Sequence, residues 1–309
     1  MTQQKLGIAL GGGGARGWAH IGVLKALKEI GIQPDIIAGT SIGSIAGGCY
    51  AANELDQLEE FATNLTRRRV LGFLDINMTG TSLISGRRIC NALDAHLENH
   101  KIEDLPRTFV AVATEIGTGH EVWMDRGYLV NAMRASYALP GIFKPVKING
   151  RWLFDGAMVN PVPVSVCRAM GASVVIAVNL NADIFGKGTV IPSHEALELE
   201  IADDDQADEA QLEPPQPETT FSKLRNLFFS DKSGAPGVSR VMLDAFNITQ
   251  DRIARARLAG DPPDINIKPR LQGIGLFDFH RAEEMIELGR EATYRAKDDL
   301  QHHLGLIAA

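Results

Sequence analysis

Apolar runs and helical periodicities follow one another along most of the chain in a repeating order. "KLGIAL" (residues 5–10) is a continuous apolar run, the pattern of a strand buried on both faces. Beyond a glycine-rich stretch, Ile21, Val23, Leu24, Leu27 and Ile30 recur at helical spacing, and Gly31 ends that helix. "PDIIAGT" (34–40) reads as a second short strand. "SIGSIAGGCYAANEL" (41–55) reads as a helix of small residues, suited to packing closely on a sheet. The order continues with a strand at 108–115 ("TFVAVATE") and a helix at 129–139 closed by Pro140-Gly141. A strand at 151–157 ("RWLFDGA") ends in a turn. A helix at 163–172 ("PVSVCRAMGA") and the fully apolar strand 173–180 ("SVVIAVNL") follow. Strand, loop and helix in this alternation predict an α/β fold with a mostly parallel central sheet.

After residue 180 the pattern stops. Residues 192–220 are acidic and proline-bearing ("EPPQPETT") and read as a flexible insertion. "FSKLRNLFF" (221–229) follows, with Phe221, Leu224, Leu227 and Phe228 on one helical face and Lys223 and Arg225 off it. That pattern fits contact with a lipid interface and fits equally a helix docked on the core. A helix over 238–260, a strand over 264–269 ("DINIKP") and a helix over 278–304 close the chain. The expected organisation is an α/β core at 5–180, an acidic insertion with a short amphipathic segment at 188–232, and a helix–strand–helix at 236–309 completing the same domain. There are no internal repeats.

The 309 residues suffice for a sizeable buried core. The net charge of −7 is local in origin: residues 188–222 hold ten acids and no Lys or Arg, so the remainder carries +3. No basic stripe points to nucleic acid. Cys49, Cys90 and Cys167 are odd in number and widely separated, which argues against a disulfide framework or a zinc site. With no signal-peptide pattern and no apolar run near 18 residues, the expectation is a cytoplasmic protein without a membrane span. Peripheral contact at the inner face of the membrane stays open, and oligomeric state is unspecified.

Three loops at strand ends carry the candidate chemistry. The first, "GGGGARG" (11–17), contains GxGxxG at Gly12, Gly14 and Gly17. A dinucleotide site would also want an acid at the end of the second strand, where this chain has "IIAGTS", and no GK[ST] follows for a phosphate loop. The second loop, "GTSIG" (39–43), is G-x-S-x-G between a strand and a helix, the context that makes Ser41 a candidate nucleophile. Gly39 and Gly43 make room for the sharp turn, with Thr40 and Ile42 completing the elbow. The plain alternative for Ser41 is a helix N-cap. Parallel strands put the glycine loop beside Ser41, so its backbone N–H groups, over Gly12, Gly13, Gly14, Ala15, Arg16 and Gly17, are candidate oxyanion donors.

A serine nucleophile needs a base. Of the eight histidines (20, 96, 100, 120, 194, 280, 302 and 303) only His20 lies near a motif, and it sits inside the first helix, where a packing role is the usual one. The third loop, "DGA" (155–157), offers Asp155, with Gly156 and Ala157 forming its turn. An aspartate before glycine is also common in a plain Asx turn.

Together the three loops resemble the patatin-like phospholipase family. The glycine loop ending in a basic residue and glycine matches "GGGGARG", the elbow matches "GTSIG", and the aspartate-glycine turn matches "DGA". "ASYALPGIFKPV" (135–146) is a further family-like stretch. The resemblance covers roughly residues 5–180. It continues weakly to the last helix, in the manner of the bacterial branch akin to neuropathy target esterase. It implies a three-layer α/β/α sandwich, a Ser41–Asp155 dyad without histidine, and hydrolysis of an acyl ester in a lipid or lysophospholipid. It implies no metal and no other cofactor. An acyltransferase on the same site, a non-enzymatic binding protein and a nucleotide-binding protein are the competing readings. An ordinary aspartate, with a pKa of about 4, is a weak base for a serine hydroxyl, so the dyad requires a site dry enough to raise it. Arg16 has two open readings, as a brace for the glycine loop or as a contact for a lipid phosphate.

Overall fold

The computed structural model describes residues 5–73, 97–184 and 238–305. The chain divides into two units, residues 1–185 with 250–309, and residues 186–249. In the second unit the described residues, 238–249, are helical. The expected insertion at 188–232, the "FSKLRNLFF" segment, Cys90, His96 and His194 lie outside the described residues.

The first unit is built on an eight-stranded sheet. Its strands are β1 (Leu6–Leu10), β2 (Ile36–Thr40), β3 (Thr108–Glu115), β4 (Glu121–Met124), β5 (Val146–Ile148), β6 (Arg151–Asp155), β7 (Val174–Val178) and β8 (Ile265–Ile267). The spatial order is β5-β6-β3-β2-β1-β7-β8, with β4 also paired to β3. β3, β2, β1, β7 and β8 run parallel. β4 and β6 run antiparallel to β3, and β5 antiparallel to β6. The sheet is therefore mixed but mostly parallel.

β1, β2 and β7 are buried along their whole length, as their unbroken apolar runs require. Leu6, Ile8 and Leu10 face one layer, formed by α1 (Ala19–Glu29), α2 (Ile42–Ala51), α3 (Leu55–Thr63), α5 (Leu129–Ser136) and α8 (Ala282–Arg295), with α4 (Arg67–Phe73) following α3. Ala9, Ile36, Ala38, Val110 and Val112 face the other, where α6 (Val164–Ala169) brings Val164, Val166 and Cys167, and Ala254 of α7 (Val238–Gly260) joins them. Helices cover both faces, as expected of a three-layer α/β/α sandwich. Among the described residues no helix is long and apolar enough to cross a membrane. Cys49 and Cys167 are free and buried, and burial pushes both thiols up to about 12.

The α1–α8 crossing depends on two glycines. A Cβ on Gly22 would lie 1.8 Å from the Ile286 carbonyl oxygen, and one on Gly289 would lie 2.0 Å from that of Ala19. Both obstacles are backbone, so the helices would have to separate. Glycine-to-alanine inside a helix ordinarily gains roughly 0.5–1 kcal/mol. Here the sign reverses: Gly22→Ala is expected to lower the unfolding free energy, as read by urea denaturation, by about 2 kcal/mol or more.

The structure departs from the sequence expectations in a few places. The helix expected over 41–55 ends at Ala51, because Asn53 takes a left-handed conformation (φ 62°) and a new helix, α3, starts at Leu55. The closing helix breaks at Ala296 into α8 and α9 (Lys297–His303). Arg295 in the last turn of α8 and Asp298 and Asp299 in the first turn of α9 suit those ends electrostatically. β4 and β5 have no counterpart in the expected order.

Candidate active site

Ser41 stands between the end of β2 and the start of α2 with φ 55° and ψ −125°. For a residue with a side chain, such a conformation costs on the order of 1–3 kcal/mol and persists only when its surroundings impose it. Here they do. The Ser41 N–H donates to Ser136 Oγ at 2.9 Å, and that hydroxyl donates to the Val112 carbonyl at 2.6 Å. The Ser41 carbonyl accepts from both the Ser44 hydroxyl (2.6 Å) and the Ser44 N–H (2.9 Å). The flanking glycines leave no alternative. A Cβ on Gly39 would stand 2.5 Å from the Gly43 carbonyl oxygen, and one on Gly43 would stand 2.1 Å from that of Leu10.

Although Ser41 occupies the N-cap position of α2, its side chain makes no capping bond. Its hydroxyl donates to Asp155 Oδ2 at 2.6 Å. The register explains how the two meet. Thr40 lies opposite Val112 in the parallel β2–β3 pair, so Ser41 comes level with Ala113. Ala113 lies opposite Asp155 in the antiparallel β3–β6 pair. β2 and β6 thus flank β3 and deliver both side chains at one height. Asp155 reaches this edge on a strand running against its neighbour, and Gly156 lets the chain turn away tightly against Val112.

Asp155 is also the Asx-turn residue that the plain reading described: its Oδ1 accepts from the Ala157 N–H at 2.8 Å. Its backbone is pinned on both sides, by its N–H to the Ala138 carbonyl (3.0 Å) and by the Thr114 hydroxyl to its carbonyl (2.9 Å). The carboxyl is 1% exposed. Burial pushes its pKa up to about 7, against the opposing pull of the bonds from Ser41 and Ala157. Asp155 is thus a buried carboxyl of raised pKa within hydrogen-bond distance of Ser41.

The glycine loop begins where β1 ends and is held from three directions. The Gly12 N–H donates to the Pro161 carbonyl (2.9 Å) and the Ala15 N–H to the Leu276 carbonyl (2.9 Å). Gly14 has φ 57°, and a Cβ there would meet the Leu276 carbonyl oxygen at 2.6 Å. Gly17 packs against the Ile42 side chain. The Gly13 and Gly14 N–H groups have no partner among the described residues. Arg16 is buried, its Nε donating to the Ile274 carbonyl and one terminal nitrogen to Asn181 Oδ1, both at 2.9 Å. Burial lowers its pKa to about 10, partly offset by Asp183 and Asp278, so it stays charged at neutral pH. His20 is fully buried with Nε2 2.7 Å from the Gly11 carbonyl, and burial lowers its pKa to about 4. It braces the start of the loop and makes no bond to Ser41.

Three supports of this site, Ser136, the Asn160 carbonyl and residues 274–279, stand outside the sequence-predicted set. Ser136 fixes the elbow backbone; it falls within the family-like "ASYALPGIFKPV" stretch, the one signal that pointed near it. The Thr40 hydroxyl bonds the Asn160 carbonyl at 2.8 Å, tying the elbow to the turn after Asp155. Residues 274–279 wall the glycine loop through Ile274, Leu276 and a bond from Trp18 Nε1 to the Phe279 carbonyl (3.2 Å). Their contacts are made by backbone carbonyls more than 250 residues away, which leave no pattern in the sequence.

The patatin-like phospholipase family model matches residues 8–168. An "Uncharacterized NTE family protein" of Mycobacterium bovis is 32% identical, over 96% of this chain and 92% of its own length. The Lysophospholipase NTE1 of Yarrowia lipolytica is 36% identical, and the Patatin-like phospholipase domain-containing protein 6 of Homo sapiens 35% identical, each over 59% of this chain. The chain spans only 13% and 14% of those two proteins. With the matched segment running from β1 through α6 and taking in all three loops, the chain belongs to the patatin-like phospholipase family.

Proposed function

We propose that this protein is a serine ester hydrolase that cleaves acyl esters of lipids, of lysophospholipid or phospholipid type, through an acyl-enzyme on Ser41. Ser41 Oγ attacks the ester carbonyl while its proton passes to Asp155 Oδ2. The tetrahedral oxyanion is held by N–H groups of the glycine loop. Since Gly12 and Ala15 spend their N–H groups within the fold, Gly13 and Gly14 are the donors we assign. Asp155 returns the proton to the departing alcohol. Water then repeats the sequence against the acyl-enzyme, releasing the fatty acid and restoring both side chains. The observation that carries this reading is the 2.6 Å bond between a strained, uncapped serine and a buried carboxyl of raised pKa. The lipid class rests on the family and on the relatives named lysophospholipase and phospholipase.

A fluorophosphonate probe tests the nucleophile. The expected adduct maps to Ser41 and is absent from Ser41→Ala; an adduct on another serine, or undiminished ester hydrolysis by Ser41→Ala, refutes the assignment.

For Arg16 the geometry favours the brace. Its guanidinium donates to Ile274 and Asn181, and Asn181 Nδ2 reaches back to the Gly12 carbonyl at 3.4 Å. Arg16→Ala is therefore expected to depress turnover of neutral p-nitrophenyl esters and of phospholipids to the same degree. A loss confined to phospholipids would instead assign the residue to a headgroup phosphate.

A further inference from the structure

We infer that the β5–β6 hairpin docks this protein on an anionic lipid surface. The observation is a cationic, tryptophan-bearing projection on the sheet edge that holds Ser41. Leu153 of β6 lies opposite Glu115, the last residue of β3, and Ile148 lies opposite Arg151. The Asn149-Gly150 turn therefore overhangs the end of β3. Ser41 is level with Ala113, so at about 3.3 Å per residue the turn stands roughly 15 Å outward of the serine.

The charge on this projection is one-sided. Residues 126–154 contain Arg126, Arg134, Lys144, Lys147 and Arg151 and no Asp or Glu. Lys144, Lys147 and Arg151 are exposed. Of the nearby acids, Glu115 faces Arg151 at 3.8 Å and Glu121 is bonded to Arg257 at 3.0 Å. Lys147 and Arg151 stay open to a further anion. Trp152 is 50% exposed, with the Lys147 ammonium 5.5 Å from its ring centre, and Ile116, 44% exposed, bonds to it through the backbone. A short, charged edge strand alone would be explained as protection against pairing with other strands. That purpose does not call for a half-exposed indole. Tryptophan beside lysine is what the headgroup region of an anionic bilayer accommodates, the ring at the ester level and the ammonium among phosphates.

The inference rests on the lipid-hydrolase reading for its purpose, but it is tested apart from it. Sedimentation with phosphatidylglycerol vesicles, against phosphatidylcholine vesicles, would be measured for the full chain, for Ser41→Ala and for a Lys147→Glu/Trp152→Ala double variant. Thermal melts would confirm folding. We expect the full chain and Ser41→Ala to partition equally onto phosphatidylglycerol and weakly onto phosphatidylcholine. The double variant should lose about tenfold or more of that partition while hydrolysing a soluble p-nitrophenyl ester at the unaltered rate. Undiminished sedimentation of the double variant, or no preference for phosphatidylglycerol, overturns the proposal. So does a concentration-dependent dimer that the double variant abolishes, since β5 would then pair copies of the chain. Failure of the esterase reading would appear as inactivity of the full chain toward the soluble ester, with vesicle binding intact.

Discussion

Asp155→Asn is expected to lower turnover of a soluble p-nitrophenyl ester by about 10²–10⁴-fold, the usual worth of a positioned general base, while raising the melting temperature at pH 8. The two effects have one cause. An asparagine can keep the bond accepted from the Ala157 N–H and replace the other by one of reversed direction, its amide donating to Ser41 Oγ where the native hydroxyl donates to Asp155 Oδ2, so neither side chain loses its neighbour. What it removes is the obligation to ionise a carboxyl in a dry site. Burial holds the folded pKa near 7, above the ordinary 3.8, so the folded state binds a proton more tightly than the unfolded chain. Stability from this group is complete below about pH 4, declines as pH rises toward 7, and is flat above. Wild type thus carries a penalty on the order of a few kcal/mol at pH 8 that the asparagine variant escapes. Activity runs the opposite way, because only the ionised carboxyl accepts the serine proton. The wild-type kcat/KM should climb with pH to a plateau above about 7, and the residual rate of Asp155→Asn should lack that step. A variant that melted lower than wild type at pH 8, or kept the step, would remove Asp155 from the role of base.

The same features explain what could be read from the chain. The parallel half of the sheet is written in short runs such as "LGIAL" and "VVIAV", apolar throughout as strands buried on both faces are. The elbow and the acid turn are also local: a strand, a tight turn, and glycines that a Cβ would break. The antiparallel half is less legible because β4 and β5 are three or four residues long and only partly buried. One signal for β5 exists, the Asn149-Gly150 pair between "VKI" and "RWL", where both residues take positive φ and close a two-residue hairpin. Ser136 and residues 274–279 are different in kind. They act through a hydroxyl or through carbonyls on a backbone that only the folded sheet brings near, so no spacing in the sequence encodes them.

The strain at Ser41 can be isolated by comparing two inactive variants. Ser41→Ala and Ser41→Gly both delete the hydroxyl and leave Asp155 Oδ2 without that donor, so the loss of the 2.6 Å bond is common to both. They differ at the backbone. Alanine must still hold φ 55°, ψ −125° against its Cβ, whereas glycine adopts that region freely. The relief is on the order of 1–3 kcal/mol, reduced by the roughly 0.4–1 kcal/mol that glycine costs through the more disordered unfolded chain. Ser41→Gly is therefore expected to unfold at higher urea than Ser41→Ala, by about 1 kcal/mol, although glycine is ordinarily the more destabilising of the two substitutions. If alanine proved the more stable, the elbow would be relaxed rather than held. The bonds from Ser136 and Ser44 would then not be needed to impose it. A strained serine is what the proposed chemistry asks for. Its side chain is aimed away from α2, where it would otherwise cap the helix, and toward Asp155, where its proton can leave. The stability given up at position 41 and at position 155 then serves the same reaction, and the first loss should disappear in Ser41→Gly and the second in Asp155→Asn.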